Sequence, residues 1–315
     1  MSGCRRFPLS PDRRILAVLL LTPLAVPACR PPVEDSFTVV AGVRFHRDRE
    51  AGVQLLDVDL KVADVRPVVV AENIERRRNN FIGDCKTVRE WAEKYQAIGG
   101  INGGFFGDTY DQLGRRKQIV GLAVAEGKVI APSDIVTSTR PPQQRFLRSV
   151  VGFTRAGLPE IAYGMGSLRG RVYRYRTGIN PTGGALWNLR YGIGCGPRLF
   201  QGGTRRVADR DERLLSPGKL HRSFVAYDIG EDGFPYHLVL GRADAMDFAD
   251  VADYLELHFR RVHSRPPQEA MCLDGGPSSQ LVFRRGQTLE DAEPTGVLVP
   301  TALLLVPRQP APAGG

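Results

Sequence analysis

The chain has 315 residues, with 43 Lys and Arg against 34 Asp and Glu and a formal net charge of +9. No repeat, low-complexity block or internal linker divides it, so it is read as one domain between two terminal segments. Its five cysteines occur without C-x-x-C or H-x-x-x-H spacing, which excludes the common zinc-cluster patterns; no metal and no cofactor is expected.

Arg5, Arg6, Arg13 and Arg14 precede an apolar run from Ile15 to Val26 that ends in Pro27-Ala28-Cys29. A basic start followed by a short apolar run is an export signal, and the run is too short to span a bilayer at roughly 18 to 20 residues. Val26-Pro27-Ala28-Cys29 also resembles a lipobox, which would place a lipid on Cys29; the alternative is an ordinary signal cleaved nearby. The expected division is a leader over 1–28, a linker over 29–35, the domain over 36–306 and a disordered Pro/Ala/Gly tail over 307–315. Removing the leader takes away four Arg and one Asp, so the mature chain stays basic. In a periplasmic or secreted protein that balance favours anionic glycans or phosphates as partners over nucleic acid, with membrane contact only through the lipid. Arg169 to Arg176 interleaves Arg with Tyr173 and Tyr175 and is read as a solvated strand face.

Phe37 to His46, Val53 to Val62 and Val68 to Ala71 read as opening antiparallel strands, with Leu55, Asp57, Asp59 and Lys61 alternating against Leu56, Val58 and Leu60. Thr87 to Glu90 has capping-box form, and Val88, Trp91, Ala92 and Tyr95 follow at helical spacing. That helix leads into an apolar strand from Ala97 to Ile101. Further strands are expected at Val120 to Ala125, Lys128 to Ala131, Leu147 to Phe153, and in the hairpin Ser223 to Ile229 with Tyr236 to Leu240. A second helix starts near Asp247, with Phe248, Val251, Ala252, Leu255, Phe259 and Val262 on one stripe. His258 and His263 are five residues apart on it and are expected on different faces. Strands at Glu269 to Leu273, Leu281 to Phe283 and Thr301 to Val306 close the chain. The pattern predicts an α+β fold of mainly antiparallel or mixed sheet with a few covering helices. Cys85, Cys195 and Cys272 allow at most one disulfide among them.

Three places join backbone-permissive glycines to chemically useful side chains: Ile101-Asn-Gly-Gly-Phe-Phe106, Gly194-Cys-Gly-Pro-Arg198 and Asp274-Gly-Gly-Pro-Ser-Ser279. The first and third follow apolar strands, which would display Asn102 and Asp274 at strand ends. Asn-Gly and Asp-Gly are also strong turn formers in their own right. A bare turn, however, does not need Gly-Gly-Phe-Phe or Gly-Gly-Pro-Ser-Ser after it.

From about Phe37 to Val306 the sequence resembles the phosphodiester glycosidases, the family of the lysosomal uncovering enzyme that removes N-acetylglucosamine from a sugar phosphodiester. The residues that carry the likeness are Gly42-Val43, Val58-Asp59-Leu60, Ile101 to Phe106, Val120-Gly121, Gly127-Lys128, Gly196-Pro197, Arg222, Gly241-Arg242 and Leu273 to Ser279. It departs from the family's pattern at Pro277, at Ser223 and Phe224, and in Ala243 to Asp247. The resemblance implies a hydrolase with Asp274, Asn102 and Arg222 as catalytic residues. Gly103, Gly104, Gly275, Gly276, Ser278, Ser279 and Arg242 are then expected to bind a glycan phosphodiester.

Most glycosidases use two carboxylates. A sugar 1-phosphodiester needs less, because its leaving group is already a stabilised anion that wants positive charge and donors. In this scheme Arg222 grips the phosphate, Asn102 and the amides of Gly103 and Gly104 orient oxygens, and Asp274 is nucleophile or base. Ser278 or Ser279 bonds the phosphate. Arg242 is a second cation or a structural ion pair. Asp108 and Asp111 make an acidic loop without EF-hand spacing. A serine hydrolase would need a G-x-S-x-G turn, which the Ser278 region lacks. A non-enzymatic glycan-binding or envelope-assembly protein would keep the cleft without depending on Asp274 for turnover.

Overall fold

The structure is a computed structural model that describes residues 34–78, 80–133, 136–137, 145–214 and 218–308. The expected leader, Cys29 and most of the tail lie outside the described residues. Strands begin at Glu34–Val40, which pairs with Val43–Asp48, which in turn pairs with Val53–Asp59. This meander forms one half of an eight-stranded sheet. The other half runs Pro235–Met246, Leu220–Ile229, Glu269–Cys272, Arg198–Gln201 and Thr204–Arg205. The junction is Val53–Asp59 against Pro235–Met246, with Asp57 opposite Val239 and Asp59 opposite His237.

A second sheet of five strands runs in the order Thr288–Asp291, Leu281–Arg285, Gly99–Asn102, Ala302–Pro307 and Val65–Val70. A third, of seven strands, includes Ser149–Phe153 and Tyr191–Cys195, and a smaller one of four strands includes Arg116–Ile119. Every strand pairing among the described residues is antiparallel, and the two α-helices are few against so many strands. The expected α+β class is thereby refined to a mainly antiparallel β fold with two helices.

The first and second sheets pack face to face. Val43, Phe45, Leu56 and Val58 from one meet Ile101, Leu281, Phe283 and Leu303 from the other, and the Phe45 and Phe283 rings stack at 4.0 Å. Each such buried side chain contributes on the order of 1.5 to 3 kcal/mol. The alternation in Val53–Asp59 sends Val53 and Leu55 to the opposite face. There they meet Phe248, Val251, Leu255 and Phe259 of the long helix α2, Phe248–His263. Between the half-buried Gln54 and Asp59, the strand is therefore apolar on both faces except at Asp57.

Both helices start as the sequence predicts. Thr87 and Glu90 form the capping box of the short helix Val88–Lys94, and Asp247 and Asp250 form a reciprocal box on α2. One detail of the expected stripe is corrected: Val262 is exposed, and His258 takes the buried place beside Phe259. Beyond Leu255 the sheet surface under the helix turns polar, so imidazole rather than hydrocarbon faces it.

Candidate active site

Asp274 lies one residue beyond the end of the strand Glu269–Cys272 of the first sheet, after Leu273, and Asn102 ends the strand Gly99–Asn102 of the second. Packing those sheets brings the two strand ends together. The Asp274 amide donates to Gly103 O at 3.1 Å, and Asn102 Nδ2 donates to Asp274 O at 2.8 Å. After Asp274 the chain makes the 3-10 turn Gly276–Ser278, entered through Gly276 at φ 60°, where only glycine is relaxed. The Gly275 amide donates to Asp274 Oδ1 at 3.0 Å, and the Ser278 hydroxyl bonds the same carboxylate. Burial raises the Asp274 pKa from 3.8 to about 6, against the lowering effects of Ser278, Gly275 and the Lys117 charge. A half-buried carboxylate poised near neutrality at a strand end is suited to act as nucleophile or base.

The structure gives Asn102 a different task from the one expected. Its side chain is fully buried: Oδ1 accepts from Ser223 Oγ at 2.6 Å and from the Gln280 amide at 3.1 Å, while Nδ2 holds Asp274. It fixes the two ends of the turn relative to each other and is a positioning residue. Gly103 and Gly104 are likewise corrected. Their amides donate to Thr301 O at 2.9 Å and Thr301 Oγ1 at 3.3 Å, so they are spent within the protein. Gly104 must lack a side chain because a Cβ there would lie 2.4 Å from Gly194 O. That contact joins the first and second glycine motifs.

Arg222 borders the turn, since a Cβ on Gly275 would come within 3.6 Å of its Nη1. Its Nε donates to Met246 O at 2.9 Å and its Nη2 to Gly218 O at 3.0 Å, and the guanidinium lies over the Phe248 ring. Burial draws its pKa down from the usual guanidinium value. Arg242 is placed otherwise. It is fully buried, pairs with Asp244 at 2.7 Å and with Glu293, and contacts Ser279 O at 3.4 Å, the geometry of a structural ion pair behind the turn. Ser279 is buried behind the turn with Arg242, whereas Ser278 serves Asp274.

Sequence reasoning missed Lys117, which carries no motif and lies on the small four-stranded sheet. Its charge acts on Asp274; its Nζ donates to Leu298 O at 2.8 Å and rests over the Phe106 ring, the last residue of the first glycine motif. Ser223, Gln280 and Thr301 were missed because their roles arise only when strands distant in sequence meet. Glu212 is also unmarked in the sequence. Buried beside Gly196, it accepts from Ser149 N and Oγ and from Arg198 N, and burial lifts its pKa to about 7. These contacts tie the Gly194 to Arg198 segment to the third sheet. Cys85, Cys195 and Cys272 are free thiols whose pKa values burial raises, which removes them as nucleophiles. Asp108 is exposed, and Asp111 Oδ1 accepts from the Arg116 amide at 3.2 Å as a turn residue. A concavity of about 790 Å³ is lined by residues beside the third sheet's strand ends, such as Arg155, Arg171 and Trp187, and contains none of the three motifs.

A strand-end carboxylate, a buried amide lock and nearby cations thus meet on an antiparallel β scaffold. The phosphodiester glycosidase family model matches residues 95–306, and the chain belongs to that family. No curated protein sequence matches it. Among solved structures, a Burkholderia pseudomallei protein whose name describes it as exported aligns at TM-score 0.53 and 12% identity, covering 84% of this chain and 74% of that one; it shows the shared fold. The catalytic domain of zebrafish N-acetylglucosamine-1-phosphodiester alpha-N-acetylglucosaminidase, auto-inhibited by its pro-peptide, aligns at TM-score 0.49 and 14% identity, covering 88% and 85%. A hypothetical protein from Synechocystis aligns at TM-score 0.49 and 14% identity; the match covers 86% of this chain and 61% of that one.

Proposed function

We propose that the protein is an exported hydrolase that cleaves the glycosidic bond of a sugar 1-phosphodiester in envelope or extracellular glycans, with an N-acetylglucosamine-like sugar as a first candidate. The observation that carries this reading is Asp274, raised to a pKa of about 6 and held by Gly275 and Ser278 beside Arg222 and within the field of Lys117. At neutral pH the carboxylate is mostly ionised and meets the anomeric carbon as nucleophile or as the base for a water. The phosphate leaves as an anion without needing a proton from a second carboxylic acid, which fits a turn that supplies only one carboxylate. Arg222 and Lys117 stabilise the charge that develops on the departing phosphate. Export rests on the leader pattern over 1–28, and a lipid on Cys29 would tether the protein to the envelope.

Sugar release from a panel of sugar 1-phosphodiesters, α-N-acetylglucosamine 1-phosphate esters among them, tests the reading with Asp274→Asn alongside. The expected outcome is release by the parent and a loss of a thousandfold or more in the variant. Absence of release across the panel, with glycan bound equally by both proteins, would replace the hydrolase with a glycan-binding protein.

A further inference from the structure

Four of the five histidines in the chain gather on one face of the first sheet, under the C-terminal half of α2. Strand pairing explains the gathering: His46 lies opposite Leu55, and His237 lies opposite Asp59, so both share the face that carries Asp57. From above, α2 lowers His258 and His263 onto that carboxylate. The expectation that the two rings fall on different faces is corrected by the helix ending at His263, whose ring reaches back to the strand.

Asp57 Oδ2 lies 2.9 Å from His263 Nε2 and 3.8 Å from His258 Nε2, and the three ligand atoms lie within 4.8 Å of one another. All three side chains are more than nine-tenths buried. Neither ring nitrogen of His258 makes a well-directed hydrogen bond, and the close His263 approach to Asp57 is off the line of one, so the two imidazoles meet the carboxylate only as near charges. Burying imidazoles without well-formed hydrogen bonds is costly, and so is burying a carboxylate under the apolar face of a helix. Convergence of the three on a cation would offset both costs. Two ligands about 2.0 to 2.1 Å from a tetrahedral metal are about 3.4 Å apart, a value bracketed by the two observed separations.

We propose that Asp57, His258 and His263 form a binding site for a divalent transition metal of the zinc type, remote in the fold from the Asp274 turn. Two imidazoles and one carboxylate select Zn²⁺, Co²⁺ or Ni²⁺ over Ca²⁺ or Mg²⁺, which prefer all-oxygen shells. The site also lies at the C-terminal end of α2, where the helix dipole favours a cation. Outer contacts hold the ligands. His237 stacks flat on the His263 ring at 3.8 Å, and its own Nδ1 bonds Asp228 Oδ2 at 2.9 Å. The ion fastens the end of α2 to the strand Val53–Asp59. The other end of the same helix carries Phe248, on which Arg222 rests. A second group of metal-type ligands, His221 with Asp244 and Glu293, is unsuited because the Arg242 guanidinium already bonds all three.

Untagged protein stripped with a chelator and titrated with ZnCl₂ should bind one ion per chain by calorimetry and elemental analysis. Its Tm should rise by roughly 4 to 6 °C at a hundredfold excess over Kd. Co²⁺ should give the visible absorption of a low-coordinate site. His263→Ala and His258→Gln should each lose the binding and the Tm shift while keeping the folded circular dichroism of the parent, and His221→Ala should keep binding and shift alike. No stoichiometric binding by the parent would overturn the proposal, as would undiminished binding in His263→Ala or a loss of binding confined to His221→Ala.

Discussion

In the proposed mechanism Asp274 must be ionised to act, yet its surroundings resist ionisation. With a folded pKa of about 6 against 3.8 for the free side chain, the folded state holds its proton longer than the unfolded state does. Stability therefore falls as pH rises from about 4 to about 6, and the loss persists above that window. Asp274→Asn should lose activity while gaining on the order of 1 to 2 kcal/mol of stability at pH 7, a figure discounted for the partial exposure of the group; at pH 3.5 the gain should vanish. Denaturant unfolding at the two pH values measures both. Lys117 acts on the same equilibrium from the other side. Its charge favours the carboxylate, so Lys117→Ala should move the acid limb of the pH–rate profile upward, and an unmoved limb would show that the lysine does not act on Asp274. Asp274 was legible in the sequence because a charged residue precedes Gly-Gly-Pro-Ser-Ser after an apolar strand. Lys117 was not, because nothing near Arg116 to Ile119 distinguishes it from an ordinary strand lysine.

At the level of elements, the site depends on how closely loops approach. Gly104 and Gly194 touch with no room for a methyl group, so Gly104→Ala must push the loop that follows Asn102 away from the strand Tyr191–Cys195. The expected result is a loss of at least 2 kcal/mol together with most of the turnover, seen in thermal unfolding and sugar release. The start of α2 is more forgiving. Asp247→Ala removes one cap and should cost about 1 kcal/mol in thermal unfolding. Helix starts and hairpins were readable because their signals are local: Thr87 with Glu90, Asp247 before an apolar stripe, and Glu231 to Gly233 between two strands. The contacts of Asn102 were not readable, since its partners come from two distant segments, Ser223 from one and the turn from Asp274 to Gln280 from the other. The convergence of His258 and His263 was hidden for a related reason. Helical spacing describes where side chains leave the helix, whereas Asp57 decides where the two rings meet.

For the whole molecule, sheet order is the quantity that sequence concealed. Strand content and antiparallel character followed from alternation and turn residues. Alternation does not say, however, that Val53–Asp59 pairs with Pro235–Met246 or that Ala302–Pro307 lies between Gly99–Asn102 and Val65–Val70. Buried pairs such as Arg198 with Glu269 are likewise products of that order, joining strands 71 residues apart. A chain cut before Thr301 should accordingly fail to yield soluble folded protein. It would leave Gly99–Asn102 with an open edge and Val65–Val70 without a strand partner, and native circular dichroism from such a fragment would contradict this.

The placement of Ala302–Pro307 has a consequence in time. During synthesis the strands on either side of it emerge early, yet they must wait with those edges unmatched until some two hundred further residues have been made. Thr301, which occupies the amides of Gly103 and Gly104, arrives in the same late segment. The reactive turn thus acquires its final support only when the last strand slides home. Until then the newborn polypeptide lacks the support that Thr301 gives the turn, and the arrival of this strand, rather than the appearance of Asp274, sets the moment at which the site is complete.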